Sequence, residues 1–219
     1  MLAFIRYQFA GLDVQKFLQG QVTVHVERVT TSQYTAICDL KGRIEFGLWL
    51  TRHSAEHFEI VVTQDQSENF EKHVKKYGAF SKISLTEATQ VYPTLQDTTT
   101  VFDTQPTDIQ AWEQQAILHG QAWITANTAH VFQPQELRLH QRHGVHYDKG
   151  CYLGQEIVAR LWFKAKPKSW LHLVNTPVPE NVAIVNAVKD YALVVAKPDA
   201  LQNMIELPTP LNEEVGRPK

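Results

Sequence analysis

The sequence predicts an α+β protein, with a mixed region reaching to about residue 163 and a small β-rich region after it. Three observations carry this. Apolar segments flank the turn Asp39-Leu40-Lys41-Gly42 as the two arms of a hairpin. Phe70, Val74 and Tyr77 recur at helical spacing. Three short apolar runs, 170–174, 182–188 and 192–196, follow a basic linker, 164–168, that contains Pro167.

In chain order, residues 2–9 read as a strand, too short and too broken by Arg6 and Gln8 for a signal peptide. Asp13 has the chemistry of an N-cap for a short helix that turns Phe17 and Leu18 inward. Segments 34–38 and 44–51 are the hairpin arms, 57–63 is a third strand, and 67–76 is an amphipathic helix with Lys72, Lys75 and Lys76 on its solvated side. Residues 80–85 alternate as a strand should. From 86 to 106 there is little periodicity and no helical pattern. Asp108 caps a helix through Trp112, Ala116 and His119 that Gly120 ends. A short strand at 122–124 and a polar segment after 132–134 lead to a glycine-flanked turn. From Pro208 onward the tail is proline-rich, acidic and expected to be mobile.

The 219 residues are 43% hydrophobic, enough for a substantial core. A net charge of −2 gives no general attraction to nucleic acid or to an anionic membrane, so any RNA contact would need a local patch. Two cysteines make no disulfide framework and suit a reducing cytoplasm. No apolar run reaches the roughly 20 residues of a membrane helix.

The chemistry concentrates in Lys149-Gly150-Cys151-Tyr152-Leu153-Gly154-Gln155-Glu156. Gly150 and Gly154 permit a tight turn, and a helix starting near Gln155 would aim its free N–H groups back toward the thiol. A cysteine beside a helix N-terminus and a cation is in a setting that favours the thiolate. As an isolated cysteine, Cys151 would more commonly be a small buried hydrophobe. Gln155 and Glu156 would fix the turn, and Arg160, one turn below Glu156, could pair with it for structure alone. His140, His143 and His146, with Cys151 beyond them, offer metal-ligand chemistry. Gly144 and Val145 interrupt the helix such a site would need, and scattered surface histidines are the plainer reading.

The turn resembles the K-G-C-Y-x-G-Q-E signature of the YgfZ branch of folate-binding proteins, which share the GcvT-like fold of the glycine-cleavage T-protein, an aminomethyltransferase. Three further stretches resemble the family in the same order. They are Asp13 to Thr23 (D-V-Q-K-F-L-Q-G-Q-V-T), Cys38 to Arg43 (C-D-L-K-G-R) and Lys76 to Ile83 (K-Y-G-A-F-S-K-I). The resemblance implies ferredoxin-like subdomains over residues 1–163, with the 57–107 module shortened, and a small β-barrel-like domain over 164–219. It also implies a cytoplasmic accessory protein that binds tetrahydrofolate, maintains iron–sulfur client enzymes and thereby supports tRNA modification. Cys151 would be the functional thiol and Lys149 its cation. Trp112 falls at a tryptophan position of the family's folate site, Phe4 at a second, and Arg138 replaces an asparagine and could hold a glutamyl carboxylate. Phe4 taken alone reads better as a core ring.

Two departures count against the usual chemistry. Leu118 replaces the glutamate that engages the pterin N–H groups in the T-protein branch, with His119 one position along. That branch also has an aspartate just after the turn corresponding to Gly42; here the nearby acid is Glu45, which alternation places opposite Ile44 and Phe46. The expectation is therefore not a typical aminomethyltransferase. A divergent protein-binding scaffold that has lost folate is the competing reading, and a folate-dependent one-carbon transferase a third.

Overall fold

The computed structural model describes residues 2–217. The first sheet comprises β1 (Phe4–Ala10), β2 (Gln33–Cys38), β3 (Ile44–Arg52), β4 (His57–Thr63), β5 (Ser84–Gln96) and β6 (Thr99–Asp103). Their order is β2-β3-β4-β1-β5-β6, with every neighbour antiparallel. Helices α1 (Val14–Gln19) and α2 (Ser67–Tyr77) serve one core, and α3 (Ile109–Leu118) serves the other. After α4 (Gln155–Lys164) come β7 (Trp170–Asn175), β8 (Ala183–Ala187), β9 (Tyr191–Ala196) and β10 (Met204–Ile205), a four-stranded half-barrel ordered β10-β7-β9-β8.

The first sheet is buried on both faces, and strand alternation divides its side chains. Phe4 faces one core with Trp49 and Val61, while Phe9, Leu48, Leu50 and Ile60 face the other with Phe70. Strand β3 therefore reads as an almost unbroken apolar run. Its hairpin with β2 closes as the turn chemistry requires. Asp39 Oδ1 accepts from the N–H of Lys41 (2.8 Å) and of Arg43 (3.0 Å), and Gly42 takes φ +70°.

The 57–107 region holds β4, α2 and a long β5–β6 hairpin in place of a second strand–helix–strand repeat. Residues 80–83, expected to open a strand, form a turn, and pairing starts at Ser84 opposite Ala10. Asp13 does not cap α1; its carboxylate accepts from the Lys82 N–H at 2.8 Å and ties this turn to the start of α1. Asp108 does cap α3, accepting from the Ala111 N–H at 3.1 Å.

Residues 122–124 form no strand. Asn186 on β8 takes the place of a strand partner: its Oδ1 accepts from the Trp123 N–H and its Nδ2 donates to the Trp123 carbonyl, both at 3.0 Å. The Tyr34 hydroxyl accepts from the Ile124 N–H at 2.9 Å. Side chains thus satisfy buried backbone that no strand reaches.

Residues 208–217, in the tail expected to be mobile, are packed instead. Gly120, at φ +67°, leaves a notch filled by Leu207 and Leu211, and Val215 is also buried. One core runs from the first sheet through Tyr152 and Val158 to Leu171, Leu193 and Leu211, across the expected boundary at residue 163.

Candidate functional site

Three of the four recognised stretches meet at one turn. The Lys149 ammonium is buried and donates to the carbonyls of Gln19 (2.8 Å) and Val22 (2.5 Å), over the Tyr152 ring at 4.5 Å. The Leu153 N–H donates to the Gly20 carbonyl at 3.2 Å. Gly154, at φ +78°, lies against the backbone of the Asp39 turn; a Cβ there would press on the Asp39 carbonyl and sit 3.0 Å from the Cys38 Cβ. Reciprocally, a Cβ on Gly42 would meet the Ile157 side chain at 2.9 Å. Helix α4 begins directly after Gly154, with Val158 fully buried beneath it.

Cys151 is exposed on this anchored turn, while the second thiol, Cys38, is buried beneath it. Burial pushes the Cys38 thiol far up, with the Asp39 and Glu45 carboxylates adding to the effect. Lys149 is turned inward to backbone carbonyls, so the cation picked from sequence serves as an anchor. Burial lowers its ammonium to about 7. Gly150 has no atom within 4 Å of the space its Cβ would fill. Among the described residues no side-chain hydrogen bond of Gln155 or Glu156 closes the turn, and no ion pair joins Glu156 to Arg160. The turn is held instead by Lys149, Leu153 and Gly154.

Asp39 links this turn to the neighbouring loop. Its carboxylate lies 3.1 Å from His130 Nδ1. Burial pushes that carboxyl up, but the N–H groups of Arg43 and Lys41 together with His130 outweigh it and hold the group below its ordinary value.

The three residues chosen for folate fall elsewhere. Trp112 (4% exposed) and Phe4 (0%) pack edge to face at 5.2 Å inside the core. Arg138 is buried, donating from Nε to the Leu171 carbonyl (3.0 Å) and from Nη1 to Gln141 Oε1 (3.0 Å) and the Glu213 carbonyl (2.8 Å). Its guanidinium thus braces the terminal segment against β7.

A cavity of about 240 Å³ does lie close by, between Tyr34, Trp49, Gln121 and Arg142 on one side and Pro208–Leu211 on the other. Trp112 stands one residue behind its wall: the indole N–H donates to Thr100 Oγ1 at 3.3 Å, and that hydroxyl donates to Gln121 Oε1 at 3.1 Å. His119 reaches the cavity and Leu118 does not. Sequence reasoning missed Trp49 and Arg142. Arg142 lies over the Tyr34 ring at 5.1 Å and donates to the Ala122 carbonyl at 2.9 Å; burial lowers it to about 10. A second arginine four residues beyond Arg138 was the available signal. Trp49 carried none, since it sits in an apolar strand.

The histidines do not converge. His140 packs on Trp162 at 5.1 Å, and His146 Nδ1 accepts from the His25 N–H at 2.9 Å. Among the described residues no group of three or more His, Cys, Asp or Glu side chains is placed to hold a metal ion. Among the described residues no helix is long and apolar enough to cross a membrane.

No family model matches the chain. It is 29% identical to the tRNA-modifying protein YgfZ of Colwellia psychrerythraea, over 78% of this chain and 69% of that one. It is 29% identical to the protein of the same name from Photorhabdus laumondii, over 74% of this chain and 65% of that one. An uncharacterized protein of Haemophilus influenzae is 27% identical over 82% and 73%. The chain thus spans about two thirds to three quarters of these relatives. Among solved structures, the glycine cleavage system aminomethyltransferase T of Bartonella henselae superposes with a TM-score of 0.58 at 10% identity, covering 89% of this chain and 76% of that one. This likeness concerns fold.

Proposed function

We propose that this chain, kin in sequence to the YgfZ proteins and in fold to the glycine-cleavage T-protein, takes part in tRNA modification, the process for which those relatives are named. In this reading it is a cytoplasmic accessory protein whose Cys151 thiol serves iron–sulfur client enzymes. One observation carries the proposal: separate segments, 19–22, 38–42 and 149–158, are locked together around a turn whose exposed group is that thiol. An exposed thiol on a fixed backbone suits transient ligation of iron or exchange with a client cysteine. A stable cluster normally takes four ligands, so the client supplies the others.

The test is complementation of a strain lacking its own YgfZ-type protein, with modified tRNA nucleosides measured by mass spectrometry. The parent should restore them and Cys151→Ala should not. Full restoration by Cys151→Ala would remove the thiol from the mechanism. One-carbon transfer finds little support, because Glu45 sits on β3 beside Gln66 and His73, away from Arg142 and the cavity bounded by residues 208–211.

A second reading, a scaffold that has given up folate, is favoured by a specific observation. Trp112 and Phe4 are sealed in the core, Arg138 is committed to carbonyls, and a cavity of about 240 Å³ is small beside the ~300–1,000 Å³ that drug-sized ligands occupy. These residues do not fit tetrahydrofolate in this arrangement, and a whole folate would enter only by displacing 208–211. Titration with tetrahydrofolate separates the two readings. Quenching of tryptophan emission that vanishes in Trp112→Phe supports the folate site, and no response at millimolar ligand supports the scaffold.

A further inference from the structure

On the far side of β3 from the tail, a second cavity of about 380 Å³ opens between β3, α2 and the loop carrying His130. Its floor presents hydrogen-bond acceptors. Gln66, 2% exposed, donates through Nε2 to the Glu45 carbonyl at 2.8 Å, which fixes the amide's orientation and leaves Oε1 buried without a partner. His73 Nε2 lies 2.8 Å from Gln21 Oε1, so the ring N–H points there and Nδ1 keeps its lone pair, 3.9 Å from a Glu45 carboxylate oxygen. That approach is not an ion pair at neutral pH, because burial and the Lys76 charge lower His73 to about 4. Three acceptors without protons therefore share one wall. An unpaired buried acceptor is costly, and a donor that reaches it, from a water or a ligand, relieves that cost.

The surface beside it has the opposite character. Lys72 and Lys76 line the cavity, and Lys75 and Lys82 stand exposed beyond it on the same stretch, 72–82, which has no acidic residue. Of the nearby acids, Glu68 is paired with Lys72 and Glu71 accepts from the Tyr7 hydroxyl. Two aromatic rings stand among these lysines: Tyr77, 43% exposed and lining the cavity, and Phe80, fully exposed. Lysines with exposed rings suit phosphates and bases of a single strand. A lipid surface would find no use for the acceptor floor, and an acidic peptide would meet the Glu45 carboxylate on it.

We infer that this cavity receives a guanine base of a single-stranded RNA segment. The donor edge of the base faces Gln66 Oε1, His73 Nδ1 and Glu45, a neighbouring base stacks on Phe80, and the lysines hold the phosphates. Among RNA bases, guanine presents an N–H and an NH₂ side by side on its pairing edge, the complement of an all-acceptor wall. The choice of RNA as partner rests on the tRNA-modification reading; the slot itself does not.

The test is fluorescence anisotropy with a labelled six-nucleotide RNA containing one guanine, against the same RNA with adenine in its place, at two salt concentrations. Guanine should bind about tenfold tighter, the order expected of one paired base-edge contact. Phe80→Ala should weaken both RNAs about tenfold. The double variant K75E/K76E should weaken both and flatten the salt dependence. Gln66→Leu should erase the guanine preference. Because Gln66 is buried, the exposed Phe80 and lysine variants keep the inference open to refutation if that variant fails to fold. Equal binding of the two RNAs, no binding at low salt, or binding to anionic vesicles or an acidic peptide in place of RNA would overturn it. Failure here with intact Cys151-dependent complementation leaves the thiol reading standing; the reverse outcome leaves the RNA site standing.

Discussion

Gly154 and Gly150 flank the same cysteine, yet the structure gives them opposite sensitivities to a single methyl group. At Gly154 the backbone is left-handed, φ +78°, which costs a residue with a Cβ about 1–2 kcal/mol. The added Cβ would also press on the Asp39 carbonyl and lie 3.0 Å from the Cys38 Cβ, so the hairpin turn must shift. Overpacking of that kind costs about 1–3 kcal/mol, which brings Gly154→Ala to about 2–5 kcal/mol of lost stability. At Gly150 nothing lies within 4 Å of the new atom and φ is not positive, so Gly150→Ala should fall within about 0.5 kcal/mol of the parent. Urea unfolding reads the difference directly. With a slope of about 2 kcal/mol/M, the Gly154 variant's midpoint should drop by about 1–2.5 M and the Gly150 variant's should stay in place. Equal midpoints for the two variants would refute the claim that Gly154 is the contact by which the cysteine turn is seated.

Burial lowers Lys149 to about 7, while in the unfolded chain it holds its proton until near 10.5. The unfolded state therefore binds more protons between those values, and stability should rise with pH from 7 upward, by at most about 1.4 kcal/mol per pH unit. Lys149→Met should flatten that rise while costing about 1–3 kcal/mol through the unpaired Gln19 and Val22 carbonyls; parallel pH curves for variant and parent would count against the buried ammonium. His73, His140 and His172 are each lowered to about 4 by burial, so stability should fall as pH drops from about 6.5 through 4, visible as a sinking urea midpoint. Asp108→Ala removes the α3 cap and should cost about 1 kcal/mol, read as a thermal midpoint lower by a few degrees. Arg138→Ala should loosen the terminal segment and speed cleavage at Glu213–Glu214 by a glutamate-specific protease; an unchanged rate would show that the segment is held by its apolar residues alone.

Where local chemistry decides the structure, the elements were readable. The Asp39–Gly42 turn, the Phe70 and Val74 face of α2, the Asp108 cap and the start of α4 after Gly154 all follow from residues within a few positions of one another, whereas Tyr77, expected on the buried side of α2, is 43% exposed and His73 is buried in its stead. Strand β5 was hidden because its inward positions include Thr89 and Pro93, which blunt the apolar alternation. Pro93 is tolerated there because pairing with β1 ends at Val91 and β6 takes over beyond it. The Lys149 anchor, the Asn186 amide standing in for a strand, and the unpartnered Gln66 oxygen depend on residues 21 to 130 positions apart, a distance at which spacing says nothing. Trp112 and Phe4 were legible as aromatic residues but not as neighbours of each other, since only the fold puts both rings behind the same wall.

The place of β1 has a consequence for synthesis. It lies fourth in the sheet, and its hydrogen-bonding partners are β4 and β5, which leave the ribosome only after dozens more residues. Until they arrive, a strand bearing Phe4, Tyr7 and Phe9 has both edges bare, a template for pairing with other nascent chains. Newly made copies should therefore depend on chaperone protection for as long as that strand waits.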